Sequence, residues 1–187
     1  MDEVIEKKLE YGVDRFNYFA YGSNMLVKRL QHPERRCPSA EKIKPSEGSQ
    51  HMIKKHRFRF HKRSNDGSGK GDAEETNNTN DVVYGVLFSI KNEEDWKLDK
   101  EEGFGHGYDK KTIDVIDEKT SDVIPARIYF ATNIVPNLKP YDWYKRQTVK
   151  GARDNGLPEE YIKEIESFES KEDTNEVRRR REEKLLE

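Results

Sequence analysis

The chain predicts an α+β fold, a small mixed, barrel-like sheet with flanking helices. Three observations carry this. Short strand-like runs recur at FNYFAY (16–21), HRFRFHKR (56–63), DVVYGVLFSI (81–90), 111–116 and 124–131. The longest stretch with helical spacing, PYDWYKRQTVKGARDNGLPEEYIKEIESF (140–168), follows them all. The resulting order (strand, helix, strands, short helix, strands, helices) is that of an antiparallel or mixed sheet with helices set beside it.

Taken in order, residues 3–11 have helical spacing with a stop at Gly12. FNYFAY reads as a first strand. Asn24 is positioned to cap a helix carrying Met25, Leu26 and Leu30, which ends by His32-Pro33. In HRFRFHKR, Phe58 and Phe60 fall on one face with His and Arg on the other, a half-buried strand. SNDGSGKGDAEETNNTND (64–81) is rich in Gly, Asn and Asp and reads as a surface loop or linker. NEEDWKLDKEEG (92–103) reads as a short helix with an Asn cap, apolar Trp96 and Leu98, and a glycine stop. The 140–168 stretch reads as two helices broken at Gly156-Leu157-Pro158, and the tail EDTNEVRRRREEKLLE as a solvated helix or frayed end. A length of 187 residues suits one domain, with a core over about 16–168 and polar terminal segments at 1–12 and 170–187.

Composition narrows the class. The chain is 39% charged and 32% hydrophobic, with mean hydropathy −1.13, lean for a globular protein. Its 8 Phe, 9 Tyr and 2 Trp suffice to anchor one modest core. A net charge of −2 from balanced signs gives no global field for nucleic acid or an anionic membrane. The N-terminus lacks the basic and apolar regions of a signal peptide, and no run of about 18 apolar residues is present. The single cysteine, Cys37, permits no intrachain disulfide, which fits a reducing cytoplasm.

Several features invite a chemical reading. GSGK (67–70) evokes a phosphate loop, but position 64 is Ser and Lys70 is followed by Gly71, so the G-x-x-x-x-G-K-[ST] pattern fails. His32, His51, His56, His61 and His106 form no metal-ligand spacing, and solvation on strand faces is the expectation for His56 and His61. RRRREEK (178–184) is bracketed by acids and reads as a salt-bridged helix surface. GFGHGY (103–108) is either a flexible turn or a loop approached by a ligand. Just before it, Glu101 and Glu102 sit at a helix C-terminus, where carboxylates oppose the helix dipole and so do not serve local stability.

Taken together, YFAYGSNML (18–26), VVYGVLF (82–88), LDKEEG (98–103), Tyr108, ARIYFATN (126–133) and WYKRQTVKGARDNGLPEEYIKEI (143–165) resemble the gamma-glutamylcyclotransferase family in order and spacing from about residue 16 to 168. The resemblance implies intramolecular aminolysis. The α-amine of a γ-glutamyl group attacks its own γ-carbonyl, giving 5-oxoproline and a free amino acid, without a metal or organic cofactor. It implies that Glu102 is the catalytic acid/base, with Glu101 at a variable position. Tyr21, Gly22, Ser23 and Asn24 match the substrate-binding loop, and Tyr108, Tyr129 and Tyr144 match tyrosines near the pocket. The implied partner is a small γ-glutamyl substrate, in a glutathione-metabolism context, with a homodimer as the family's frequent assembly.

Other readings remain beside it. These are a γ-glutamylamine cyclotransferase, an enzyme removing a γ-glutamyl protecting group, an inactive binding domain of the same fold, covalent catalysis by Ser23, and an interaction module built on the C-terminal helix. Under an enzyme reading, deletion of 170–187 is expected to leave activity intact. The GFGHGY loop is shorter than in animal relatives, and 64–80 falls where family members often place strand.

Overall fold

The computed structural model describes residues 14–34 and 36–187; the helical pattern at 3–11 lies outside them. The described residues contain strands β1 (Arg15–Ala20), β2 (Glu41–Ile43), β3 (His51–Lys54), β4 (His56–Arg63), β5 (Gly69–Glu75), β6 (Val82–Lys91), β7 (Tyr108–Asp117) and β8 (Val123–Ala131). The helices are α1 (Val27–Leu30), α2 (Asp95–Glu102), α3 (Asp142–Asp154), α4 (Glu159–Ser167) and α5 (Glu176–Glu183).

β6 organises the sheet. One edge pairs antiparallel with β1, Arg15 opposite Lys91 through Ala20 opposite Val86. Its other edge takes β3 and then β2. β3 continues to β7, β7 and β8 form a long hairpin, and β8 meets β1 in parallel where Tyr18 lies opposite Arg127. The ring β1–β6–β3–β7–β8 closes on itself, so its strands satisfy each other's backbone groups without two long open edges. Phe19, Ile53, Val83, Leu87, Phe88, Ile90, Val115 and Ile128 on its strands are buried in the hydrophobic core. This is the α+β, barrel-like architecture that the strand order predicts.

Five local expectations need correction. The 64–81 stretch is not a loop throughout: β5 pairs with β4, His56 opposite Glu75 through Arg63 opposite Gly69. Its glycines made it look unlike a strand, yet they serve packing, since a Cβ on Gly69 would meet the Phe60 carbonyl oxygen at 2.2 Å. Asn24 is not a helix cap. A 3-10 turn at Ser23–Met25 precedes α1, which has Leu26 as its N-cap, and the Asn24 side chain points elsewhere. Trp96 is 62% exposed, so Leu98 alone anchors α2 to the core. The strand histidines are not solvated. His56 is buried on the face of Phe58 and Phe60, and His61 Nε2 lies 2.7 Å from Asp72 Oδ2.

The tail is also not a loose end. Asp173 is buried and accepts hydrogen bonds from Trp143 Nε1 (2.8 Å) and the Arg178 guanidinium. Glu182 is buried against Arg29 and Gln147. The salt-bridged surface expected for the arginine run is present: Arg178, Arg179, Arg180 and Arg181 pair with Asp173, Glu172, Glu176 and Glu182. Among the described residues no helix is long and apolar enough to cross a membrane, and no three His, Cys, Asp or Glu side chains gather as a metal site.

Candidate active site

A cleft opens where the end of β1 meets the end of α2. It is lined by Tyr18, Tyr21, Gly22, Ser23, Asn24, Gly71, Glu102, Tyr108, Tyr129 and Tyr144. All eight side chains and backbone positions singled out in the sequence are therefore together, although they come from the bend after β1 and from α2, β7, β8 and α3.

The bend after β1 is placed from behind by α3. Gly151 lets the two backbones touch, since a Cβ there would meet Leu26 N at 2.6 Å and the Met25 carbonyl carbon at 2.8 Å. Asn155 Nδ2 donates to the Met25 carbonyl at 3.0 Å. The first hydrogen bond of the 3-10 turn runs from Met25 N–H to Gly22 O. The N–H groups of Ser23 and Asn24 precede it and have no partner inside the turn, as at any helix start.

α2 ends at Glu102, with Gly103 in the left-handed conformation (φ 70°) as its C-cap. The two adjacent acids then part company. Glu101 lies 3.4 Å from Arg36, whereas Glu102 turns into the cleft. Asn24 Nδ2 donates to Glu102 Oε1 at 2.5 Å and Tyr18 Oη donates to the same oxygen at 3.4 Å. Burial raises the Glu102 pKa above the ordinary carboxylate value, opposed by the positive charges of Arg36, Arg29 and Lys62 and by the Tyr18 hydrogen bond. A carboxylate so placed is a stronger base once ionised than one in water.

The tyrosines form a fixed wall. Tyr21 donates to the Tyr129 carbonyl (2.6 Å), Tyr129 to Asp99 Oδ1 (2.5 Å) and Tyr108 to the Gly71 carbonyl. Gly71 N–H in turn donates to Tyr144 Oη at 3.1 Å. Burial raises the pKa of Tyr18, Tyr21, Tyr108 and Tyr144, and the nearby negative charge of Glu102 adds to the effect. These phenols stay neutral, so they orient and hydrogen-bond rather than abstract protons. Among the described residues no histidine lines the cleft beside Ser23, so the arrangement that activates a serine nucleophile is missing from them. Cys37 is buried with its pKa pushed up to about 12, which leaves it an inert thiol.

Tyr18, Gly71 and Asp99 are the residues the sequence reading left out. Tyr18 is a hydroxyl in an apolar strand two positions ahead of the apolar Ala20, and alternation puts both on one face. Asp99 precedes Glu102 by three positions, hence shares its helix face. Gly71 carried no signal while its segment read as loop.

Comparison with known proteins finds relatives in both sequence and fold. The model of the AIG2-like family matches residues 82–165. A gamma-glutamylcyclotransferase from Bos taurus is 29% identical over 165 residues, covering 83% of this chain and 80% of the relative. The enzyme of that name from Homo sapiens is 28% identical over 174 residues, covering 88% and 84%. A solved gamma-glutamyl cyclotransferase superposes with a TM-score of 0.78 at 26% identity, over 92% of this chain and 99% of the other. A Bacillus subtilis protein, YkqA, shares the fold at a TM-score of 0.64 and 20% identity, over 90% of this chain and 59% of its own. In sequence and in fold, the chain is similar to the gamma-glutamylcyclotransferases and, over residues 82–165, to the AIG2-like family.

Proposed function

We propose that this protein converts γ-glutamyl amino acids to 5-oxoproline and the free amino acid, with Glu102 as the general acid/base. One observation carries the reading. Among the described residues, the only carboxylate lining the cleft is Glu102, held by Asn24 above the bend at 21–24. Both of its hydrogen bonds fall on Oε1, which leaves Oε2 to face a ligand.

In this reading the substrate supplies its own nucleophile. The ionised Glu102 takes a proton from the α-ammonium, and Asn24 Oδ1, buried without a partner among the described residues, accepts a second N–H. The freed amine attacks the γ-carbonyl carbon, forming a C–N bond and a tetrahedral oxyanion. The amides of Ser23 and Asn24 supply donors for developing negative charge, a contribution to which preorganised N–H groups are suited. Collapse breaks the original γ-C–N bond as protonated Glu102 gives its proton to the leaving nitrogen; the regenerated carboxylate then takes the second proton from the ring nitrogen and passes it to the departing amine, which leaves as an ammonium. The tyrosine wall holds the glutamyl chain folded, and such near-attack positioning contributes up to about 7–11 kcal/mol in model reactions. The direct test is incubation with γ-glutamyl dipeptides, γ-glutamylamines and glutathione, following 5-oxoproline by mass spectrometry. Release from the dipeptides is expected, and its absence from every substrate defeats the proposal.

The pH dependence follows from the same carboxylate. Only the ionised form accepts the proton, so kcat should fall as pH falls through the Glu102 pKa. Because burial raises that pKa, the acid limb should lie above the usual carboxylate value of about 4.3. A pH–kcat profile with its acid limb at or below that value would contradict the assignment.

A further inference from the structure

Beside the cleft lies a cation that the mechanism above does not use. Lys62 is 7% exposed. Its Nζ rests on the ring of Tyr108, 4.6 Å from the centroid, and Tyr108 is part of the cleft wall. The loop after α2 makes room for it: a Cβ on Gly107 would meet Lys62 Cε at 2.9 Å and Nζ at 3.2 Å. Lys62 lies on the buried face of β4 with Phe58 and Phe60, next to an irregularity in the β4–β5 register between Arg59 and Lys62.

An ammonium carries three N–H donors and no acceptor. Among the described residues no hydrogen bond or ion pair to Lys62 Nζ is present; the Tyr108 ring face is its close contact. A cation–π contact offsets only part of the cost of burying a charge. Burial holds the Lys62 pKa below the ordinary lysine value, while the negative charges of Glu102 and Asp66 draw it back up. A positive group sharing the field of Glu102, behind a cleft tyrosine and short of acceptors, is suited to meet an anion carried by the ligand.

We propose that Lys62 receives the carboxylate of the leaving amino acid, and so makes the enzyme selective for γ-glutamyl amino acids and peptides over γ-glutamylamines. This rests on the reaction proposed above. The glutamyl half is the same in both substrate classes and is held by the bend and Glu102. Only the leaving group differs, by the presence of a carboxylate. Losing a charge-assisted contact of this kind changes relative affinity by about 10- to 100-fold.

The test compares γ-glutamyl-alanine with γ-glutamyl-ethylamine, near-isosteres that differ in that carboxylate. The wild-type protein should favour the alanine substrate in kcat/KM. Lys62→Met keeps the buried stem and removes the charge, and Lys62→Gln keeps a polar head without charge. In both variants the preference should shrink about tenfold or more, chiefly through KM for the alanine substrate, and Lys62→Arg should retain part of it. A preference unchanged in Lys62→Met and Lys62→Gln, with both substrates slowed alike, overturns the inference and leaves the reaction standing. Failure of the wild-type protein to release 5-oxoproline from either substrate removes the reaction and the inference together.

Discussion

Glu102→Gln is expected to lower kcat for 5-oxoproline release by about 10²–10⁴-fold while leaving KM nearly unchanged. Glutamine keeps an acceptor oxygen for Asn24 and Tyr18, so the cleft keeps its shape. What it loses is the proton transfer, and general acid–base steps of this kind contribute that range. The substitution should not destabilise the fold. The Glu102 pKa is raised in the folded state by burial, so its contribution to stability is fully present below the unfolded pKa. That contribution is lost as pH rises through the folded pKa. Once ionised, the buried side chain is therefore a liability, and the amide removes it. Thermal melts at acidic and neutral pH should show the variant gaining on the wild type as pH rises. A folded Glu102→Gln protein that turns over at the wild-type rate would remove Glu102 from the chemistry.

That carboxylate shows how far the sequence could be read. The sequence marks Glu101 and Glu102 as a pair by their place at a helix C-terminus, and only the family resemblance chooses Glu102, because adjacent acids share one local description. The structure separates them by about 100° of helix rotation, one toward Arg36 and the other into the cleft. The strands of the ring were legible because Phe, Tyr, Val and Ile alternate or cluster there. β5 was not, because its identity lies in what touches it: glycines that would clash with β4 if they carried a Cβ, and an Asp72 whose partners His61 and Ala131 N–H sit on other strands. Asn24 misled for a related reason. Ser, Asn and Asp favour helix starts through local hydrogen bonds, but here a partner 78 residues away captures the side chain. Long-range satisfaction of polar groups is the part of the fold that periodicity does not encode.

The tail belongs to that part, and it carries the second large effect. Glu182→Ala is expected to destabilise the protein by about 3–5 kcal/mol, a fall in Tm of roughly 10 °C for a chain of this size. Arg29 Nη1 donates to Glu182 Oε2 at 2.7 Å, with side-chain exposures of 10% and 3%. Alanine would leave the guanidinium buried without that carboxylate, and Arg29 Nε is already without a hydrogen-bond partner among the described residues. Gln147, whose Nε2 donates to the Glu182 carbonyl at 2.8 Å, ties the same residue to α3. Since α3 also backs the bend through Gly151 and Asn155, the tail braces the scaffold on which the cleft is built. Deletion of 170–187, expected from sequence to be harmless, should therefore lower both stability and activity, because it also strips Asp173 from Trp143. Replacing both charges, as in Arg29→Met with Glu182→Leu, should recover most of the loss, since a buried pair exchanged for apolar groups of similar volume is often neutral or stabilising. Urea unfolding of the single and double variants decides it: a Glu182→Ala midpoint within error of wild type would show that the pair contributes nothing, and a double variant no better than the single would show that the cost lies in packing rather than in the orphaned charge.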